Sequence, residues 1–336
     1  MHYLKPKNMK NLMRTLTKIS AFALLAGLVL SAVSCKTTTE NKATTSVQEQ
    51  QKSTMKLSLA QWSIHRMIFE DNLDPYTFAQ KAHDWGFEGL EYVSALYYKE
   101  LQAANFSKEA MDNFVARSNA EAKKYGMTNV LIMIDGQGNL ATEDAQERKE
   151  AAENHHKWVD AAAAMGCHSI RVNLAGSTDP TVWEPAAVDG LTQLGTYAAT
   201  KGINVIVENH GGLSSNADYL TAVMAKVNME NVGTLPDFGN FCIRRNDPSN
   251  YESGCAEEYD RYDGIEKMMK YAKAVSAKSH DFNQAGDEIH SDYYRIMKTV
   301  VSAGYDGFVG VEYEGNELSE EAGIIATRDL LKKIVY

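Results

Sequence analysis

Residues 203–212, Ile-Asn-Val-Ile-Val-Glu-Asn-His-Gly-Gly, join an apolar run to a glycine-rich turn and carry Glu208 and His210 where the run ends. Side chains two residues apart on a strand lie on the same face, so Glu208 and His210 would point the same way. Polar side chains at the end of a parallel strand are typical of the site of an α/β barrel. This stretch therefore predicts a strand that carries functional groups at its carboxyl end.

Seven further apolar runs end in polar residues in the same way, and helix-like segments separate them. These runs cover residues 57–61, 89–91, 130–135, 170–173, 233–237, 274–278 and 308–312. Many of the helix-like segments close on a glycine, namely Gly86, Gly126, Gly166, Gly202 and Gly304. The first four glycines are 40, 40 and 36 residues apart. A repeat of that length fits one βα unit with glycine at the end of its helix.

Eight such units over residues 55–336 predict an α/β fold, a single (β/α)8 TIM barrel, which typically takes about 250 residues. An open, doubly wound sheet is the structural alternative. It would normally have fewer strands and a glycine-rich loop after the first one, whereas this first strand runs into Trp-Ser-Ile-His-Arg at residues 62–66. The barrel is therefore the favoured architecture.

The first 35 residues predict an export signal. Five basic residues precede an apolar stretch at 19–33 that is too short to span a membrane comfortably. A small residue directly before Cys35 resembles a bacterial lipoprotein signal, in which that cysteine is lipidated; an ordinary cleaved signal is the alternative. Residues 36–54 are rich in Thr, Gln, Lys and Ser and would form a flexible tether. We therefore expect an exported, membrane-anchored bacterial lipoprotein that faces the periplasm.

The net charge argues against a nucleic-acid partner. The whole chain has 34 Lys+Arg and 44 Asp+Glu, and residues 1–35 hold five basic residues and no acidic ones. The mature chain would then have a net charge near −15, whereas nucleic-acid-binding proteins present basic surfaces. We expect a small-molecule partner and contact with the membrane only through Cys35. Whether the protein forms a homo-oligomer is left open by the sequence.

Three cysteines would remain after the signal is removed. In an oxidising compartment Cys242 and Cys255 could pair and close a loop of 13 residues after the sixth strand, while Cys167 would be a small hydrophobe in the fourth strand. In a cytoplasmic protein all three would be free thiols. The sequence leaves the pairing open.

Chemistry-bearing side chains gather at the predicted strand ends. They are His65, Glu91, Asp135, Arg171, Asn173, Glu208, His210, Asp237, Lys278, His280 and Glu312. Carboxylates with one or two imidazoles favour a divalent Mn, Mg, Co or Zn ion over metals that prefer soft ligands. We therefore expect one divalent metal ion as cofactor.

The order Glu208, Asp237, His280 and Glu312 on the fifth to eighth strands resembles the xylose isomerase-like TIM barrel family of sugar isomerases and epimerases. The resemblance covers about residues 56–335, and its more specific parts are Val-Glu-Asn-His at 207–210 and Val-Glu-Tyr-Glu-Gly at 311–315. It implies that the four residues bind one divalent ion. It also implies that Glu208 and Glu312 are the catalytic proton acceptor and donor.

Two positions depart from the pattern of the family. Asn240 stands where the family usually has His, three residues after the strand-six Asp. In the seventh strand the same frame places Lys278 at the ligand position, with His280 one inward-facing step further along. Either His280 reaches the metal from there, or the protein supplies only three ligands. The first alternative is favoured because Lys is a poor ligand until it is deprotonated.

These residue types suit proton transfer beside a carbonyl group. A metal that bridges the carbonyl and the neighbouring hydroxyl would acidify the adjacent C–H and stabilise an enediolate. Return of the proton to the opposite face gives an epimer, and delivery to the next carbon gives an isomer. The same enolate could expel a β leaving group, which would make the protein a lyase on 3-keto-glycosides. A non-catalytic sugar-binding lipoprotein is the alternative of another class.

The remaining candidates would bind the substrate: His65, Trp62, Glu91, Arg171, His210, Asn240 and Lys278. Trp62 offers a surface for a sugar ring to stack on, and Arg171 could bind an anionic group or simply pair with neighbouring acids. No glycine-rich phosphate loop is present in the sequence. An unphosphorylated sugar or keto-sugar is therefore the expected substrate.

Overall fold

Ten strands occur in the computed structural model, which describes residues 55–247, 249–250 and 253–334. In chain order they are β1 (Leu57–Ala60), β2 (Gly89–Val93), β3 (Thr128–Ile134), β4 (Ser169–Val172), β5 (Asn204–Glu208), β6 (Val232–Leu235), β7 (Cys242–Arg245), β8 (Cys255–Glu258), β9 (Val275–Ser279) and β10 (Val309–Tyr313). The predicted signal, Cys35 and the tether lie outside the described residues.

Eight of these strands form one parallel sheet in the order β6-β5-β4-β3-β2-β1-β10-β9. The first strand pairs with the last, since Leu57 lies opposite Val309. Isolated parallel bridges, Thr234 with Ala272 and Asp237 with Ser276, join the two ends of the sheet and close the ring. The predicted (β/α)8 TIM barrel is confirmed.

Within the described ranges, ten α-helices connect or follow the strands. They are α1 (His65–Phe69), α2 (Phe78–Asp84), α3 (Tyr98–Ala103), α4 (Lys108–Lys124), α5 (Ala145–Met165), α6 (Pro180–Ala199), α7 (Ala217–Val227), α8 (Arg261–Met269), α9 (Tyr293–Ser302) and α10 (Glu320–Lys333). Local sequence sets several boundaries: Asp144 caps α5 by accepting hydrogen bonds from the backbone of Gln146 and Glu147, and Pro180 occupies the first position of α6. No helix among the described residues is long and apolar enough to span a lipid bilayer.

The glycines expected after the helices have the backbone conformation that this position requires. Gly86, Gly126, Gly166, Gly202 and Gly304 all have positive φ, between +66° and +79°. Glycine adopts this left-handed conformation without the steric cost of a Cβ atom. The 36-to-40-residue spacing thus marks true helix ends, as predicted.

Successive side chains along the strands point alternately into two buried environments, the apolar core and the interior of the barrel. In β4, Ile170 and Val172 belong to the apolar core, whereas Arg171 contacts Glu208 across the barrel interior. In β9, Ser276 and Lys278 likewise reach carboxylates from inside the barrel. Burial of the apolar face stabilises the fold, at about 25 cal/mol for each Å² of apolar surface removed from water. The other face places a polar layer inside the ring.

Candidate functional site

Three buried carboxylates converge at the carboxyl ends of the strands. Glu208 is the last residue of β5, Asp237 lies two residues beyond β6, and Glu312 lies in β10. One oxygen of each lies within 4.8 Å of one oxygen of the others. We call Glu208, Asp237 and Glu312 the carboxylate triad.

Asp237 is held rigidly by protein donors. Its Oδ1 accepts hydrogen bonds from the backbone N–H groups of Gly239 at 2.9 Å and Asn240 at 2.8 Å, and its Oδ2 accepts one from Ser276 Oγ at 2.7 Å. Asn209 fixes the backbone by accepting from Asp237 N at 2.7 Å and donating to Asp237 O at 3.1 Å. Burial nevertheless raises the pKa of Asp237 to about 6.

Glu208 forms an ion pair with Arg171, whose Nε lies 2.8 Å from Glu208 Oε2. Asn240 Nδ2 donates to the other oxygen of Glu208 at 3.1 Å. Arg171 also reaches Asp135 Oδ1 at 3.1 Å and Asn173 Oδ1 at 3.2 Å through Nη1. Burial alone would lower the pKa of Arg171, but Glu208 and Asp135 outweigh it and raise that pKa. Predicted residues Arg171 and Asn240 thus position Glu208.

Lys278 lies between Glu312 and Glu314. Its Nζ is 3.4 Å from Glu312 Oε2 and 3.2 Å from Glu314 Oε2. Burial raises the pKa of Glu312 to about 8, although Lys278 acts in the opposite direction. Burial would also raise the pKa of Glu314, but the Lys278 ammonium holds it at about 2. The pKa values of Glu312 and Glu314 are therefore shifted in opposite directions.

This contrast suits general acid–base work. Burial raises the pKa of Glu312 and so favours the protonated form, which can donate a proton. Glu208, paired with a guanidinium, can accept one. Groups whose environments push their proton affinities apart are the usual basis for assigning an acid and a base.

The triad brings together three carboxylate oxygens, the type of ligand that Mg²⁺ and Mn²⁺ prefer. In the observed arrangement, however, Arg171 contacts Glu208, Lys278 contacts Glu312, and both oxygens of Asp237 accept hydrogen bonds. A divalent ion placed at the triad would face two cationic side chains at close range. The residues, as arranged, do not fit a divalent ion beside Lys278.

Sequence analysis favoured His280 as the fourth ligand, and the structure places Lys278 at the triad instead. Strand β9 ends at Ser279, whose hydroxyl bonds to Thr327 on α10, so His280 already belongs to the following loop. The His280 ring packs edge-on against His290, with centroids 6.1 Å apart. Among the described residues, the group of ligand atoms within 4.8 Å of one another does not include His280.

A cavity of about 290 Å³ borders the triad at Glu312. Its lining residues are Trp62, Val93, Asp135, Arg171, His210, Glu312 and Glu314. The structure therefore brings together five residues that the sequence singled out, namely Trp62, Asp135, Arg171, His210 and Glu312. Glu314 is a site residue that sequence analysis missed. Its position two residues after Glu312 was a usable signal, since the same spacing linked Glu208 to His210.

His65 and Glu91 lie at the margin of the site. The His65 ring stacks on Trp62 with centroids 4.4 Å apart, and its Nδ1 is 3.4 Å from Glu320 Oε1, so its contacts support Trp62. Glu91 lies deeper in the barrel, where its Oε1 accepts a hydrogen bond from Ser58 Oγ at 2.6 Å. Neither belongs to the residues that line the 290 Å³ cavity in the described part of the chain.

A second cavity of about 550 Å³ adjoins the first and shares His210 with it. The loops after β4 and β5 form two of its walls, and the β7–β8 hairpin forms another. Cys242 and Cys255 are joined as a disulfide across this hairpin, and Cys167 is a buried free thiol. The disulfide thus ties together a wall of the larger cavity.

The family model described as xylose isomerase-like TIM barrel matches residues 79–334. Among solved structures, the chain is similar to an AP endonuclease, family 2, from Brucella melitensis, with 20% identity and a TM-score of 0.57 over 80% of this chain and 97% of that one. It is also similar to D-psicose 3-epimerase with D-tagatose from Clostridium cellulolyticum H10, with 14% identity and a TM-score of 0.60 over 83% and 99% of the chains.

A third similar structure is a xylose isomerase-like TIM barrel protein from Mycobacterium smegmatis in complex with magnesium. Its identity is 17% and its TM-score 0.56, over 84% of this chain and 96% of that one. No curated protein matches the chain by sequence. At these identities, the likeness to the solved structures establishes the fold.

Proposed function

Because the chain belongs to the xylose isomerase-like TIM barrel family, we propose that it is a sugar isomerase or epimerase acting on an unphosphorylated sugar or keto-sugar. The observation that carries the proposal is the buried pair Glu208 and Glu312, one ion-paired with Arg171 and the other with a raised pKa. Binding alone would not require two such carboxylates. Proton transfer between carbons requires an acid and a base.

In the proposed reaction, Glu208 takes the proton from the carbon beside the carbonyl group. The C–H electrons form the enediolate double bond, and the carbonyl oxygen gains negative charge near Arg171, which lines the cavity. Glu312 then donates its proton to the opposite face of the same carbon, which gives an epimer. Donation to the adjacent carbon gives an isomer, provided that the proton of the neighbouring hydroxyl moves to the first carbonyl oxygen, so that the new carbonyl forms where the hydroxyl was. Proton exchange with solvent resets the two glutamates.

The resemblance implies a divalent ion, Mn, Mg, Co or Zn, and magnesium is bound in the similar protein from Mycobacterium smegmatis. When bound, such an ion would polarise the carbonyl and stabilise the enediolate. In this chain Arg171 and Lys278 already bring positive charge to the triad. The proposed proton transfer therefore uses the side chains alone.

A lyase acting on 3-keto-glycosides is the second candidate. The observation that favours it is the 550 Å³ cavity, which meets the smaller one at His210 and offers room for a leaving group. In this reaction the same enolate would expel the β substituent, and Glu312 would protonate the departing oxygen. Product analysis separates the two candidates, because only elimination releases the aglycone and an unsaturated keto-sugar.

We expect the purified barrel to exchange a C–H proton of a keto-sugar or 3-keto-glycoside with D2O, detected by NMR. Glu208→Gln and Glu312→Gln should each lower the exchange rate by about 10²-fold or more, since each removes a proton-transfer group. Glu88→Gln, at an exposed glutamate before β2, is the matched control and should leave the rate unchanged. Sugar binding without exchange in the wild type would favour the non-catalytic alternative.

We also propose that the protein is exported and anchored to the bacterial membrane by lipidation at Cys35, facing the periplasm. Metabolic labelling with an alkyne-modified palmitate should label the wild type, whereas Cys35→Ala should remove the label, because the thiol is the acylation site. Labelling of Cys35→Ala, or none of the wild type, would contradict the anchor. A homo-oligomer stays an expectation that light scattering can test.

A further inference from the structure

Lys278 is the one lysine among the described residues whose ammonium lies inside the carboxylate cluster. Its Nζ is within 3.4 Å of Glu312 and 3.2 Å of Glu314. Its positive charge also acts on Asp237 and Glu208, so all three members of the triad sense it. One buried ammonium therefore interacts electrostatically with four carboxylates.

Neighbouring residues position Lys278, both at its side chain and at its backbone. Gly239, two residues after Asp237, lies against the aliphatic stem, and a Cβ atom there would be only 3.3 Å from Lys278 Cγ and Cδ. The backbone carbonyl of Lys278 accepts a hydrogen bond at 2.7 Å from the hydroxyl of Tyr293, which is buried on α9. Gly239 thus leaves room for the stem, and Tyr293 fixes the backbone from which the stem extends towards the triad.

The two buried cations pair with different carboxylates. Arg171 pairs with Glu208 and Asp135, whereas Lys278 is the cation beside Glu312 and Glu314. A divalent ion needs the same oxygen atoms and would lie next to the ammonium, where like charges repel strongly in a buried site. The Lys278 ammonium and a tightly bound ion would therefore compete for the same carboxylate oxygens.

We propose that the Lys278 ammonium replaces the divalent ion at the triad and is the cation that positions Glu312. Only the second half of this inference, the positioning of Glu312, rests on the proposed function. Its first half, exclusion of a divalent ion, is a statement about binding and can be measured without any substrate.

The test is calorimetric titration of the full mature chain with MnCl2 and with ZnCl2. The wild type should bind either ion weakly. Lys278→Met keeps the length of the stem and removes the charge, so it should bind Mn²⁺ at least about tenfold more tightly. Lys278→Arg keeps the charge and is the matched control, which should resemble the wild type. Lys278→His should bind Zn²⁺ most tightly, because it adds an imidazole ligand.

A wild type that retains one equivalent of Mn²⁺ or Zn²⁺ after dialysis against EDTA would overturn the proposal, and this result does not depend on any variant folding. An equal Mn²⁺ affinity for wild type and a folded Lys278→Met would overturn it as well. Isotope exchange after EDTA treatment tests the proposed function separately from the replacement of the metal by Lys278. If the titrations behave as expected and no sugar exchanges, the proposed function fails while the charge replacement stands.

Discussion

At the scale of single residues, Glu91 shows the cost of burying a carboxylate beneath the candidate site. Its Oε1 is bonded to Ser58, but its Oε2 is buried with no hydrogen-bond partner among the described residues. Gly310 makes the space, because a Cβ there would lie 2.5 Å from Glu91 Oε1. Burial raises the pKa of Glu91 to about 7, and the nearby Glu208 adds to the shift. Glu91 is therefore best accommodated in its protonated form.

This protonation makes stability depend on pH. The folded-state pKa of about 7 lies above the unfolded value of 4.5, so the stabilising contribution is complete below pH 4.5 and is lost as pH rises through 7. Glu91→Gln mimics the protonated form. Its free energy of unfolding relative to wild type should rise by about 3 kcal/mol between pH 4.5 and pH 8.

Urea unfolding at the two pH values measures this difference. Glu88→Gln, the exposed neighbour on the same strand approach, should show no such change and controls for the loss of one charge. Parallel stability curves for Glu91→Gln and wild type would show that Glu91 stays charged in the folded protein.

Residue types alone could not separate Lys278 from His280. Both lie near the end of β9, and the sequence favoured the better ligand. The choice depended on where the strand ends and on the gap beside Gly239 that admits a lysine stem, which are properties of the folded chain. Glu208, Asp237 and Glu312 could be predicted, because each is the polar end of an apolar run.

At the scale of elements, strands and helix ends were predictable because their signals are local. The run at 130–135 falls on the inner part of β3, and each helix-ending glycine has positive φ. The β7–β8 hairpin was not predicted as strands, since β8 is exposed and has no apolar alternation. The hairpin buries little surface, and the disulfide between Cys242 and Cys255 links its two strands covalently.

We expect the double variant Cys242→Ser/Cys255→Ser to loosen the hairpin while the barrel stays folded. Trypsin should cleave after the exposed Arg244 several-fold faster than in wild type, because local opening needs little loss of buried surface. Mass spectrometry of early digestion products measures this rate. Cys167→Ala, which does not touch the hairpin, is the control, and equal cleavage in all three proteins would show that the disulfide does not restrain this segment.

At the scale of the whole molecule, the ring of strands is not uniform. Neighbouring strands elsewhere in the barrel pair over three or more consecutive residues, as β9 and β10 do over five. Between β6 and β9 the described part of the chain shows two isolated bridges and no continuous pairing. One of these joins Asp237 to Ser276, and the same two residues share a side-chain hydrogen bond at 2.7 Å.

One of the two bridges that close the cylinder thus involves the same pair of residues that orients a member of the triad. The backbone of Ser276 helps to join the ends of the sheet, and its hydroxyl donates to the second oxygen of Asp237. A change in the spacing between β6 and β9 would therefore move this aspartate. The geometry of the candidate site depends in this way on how the barrel is closed.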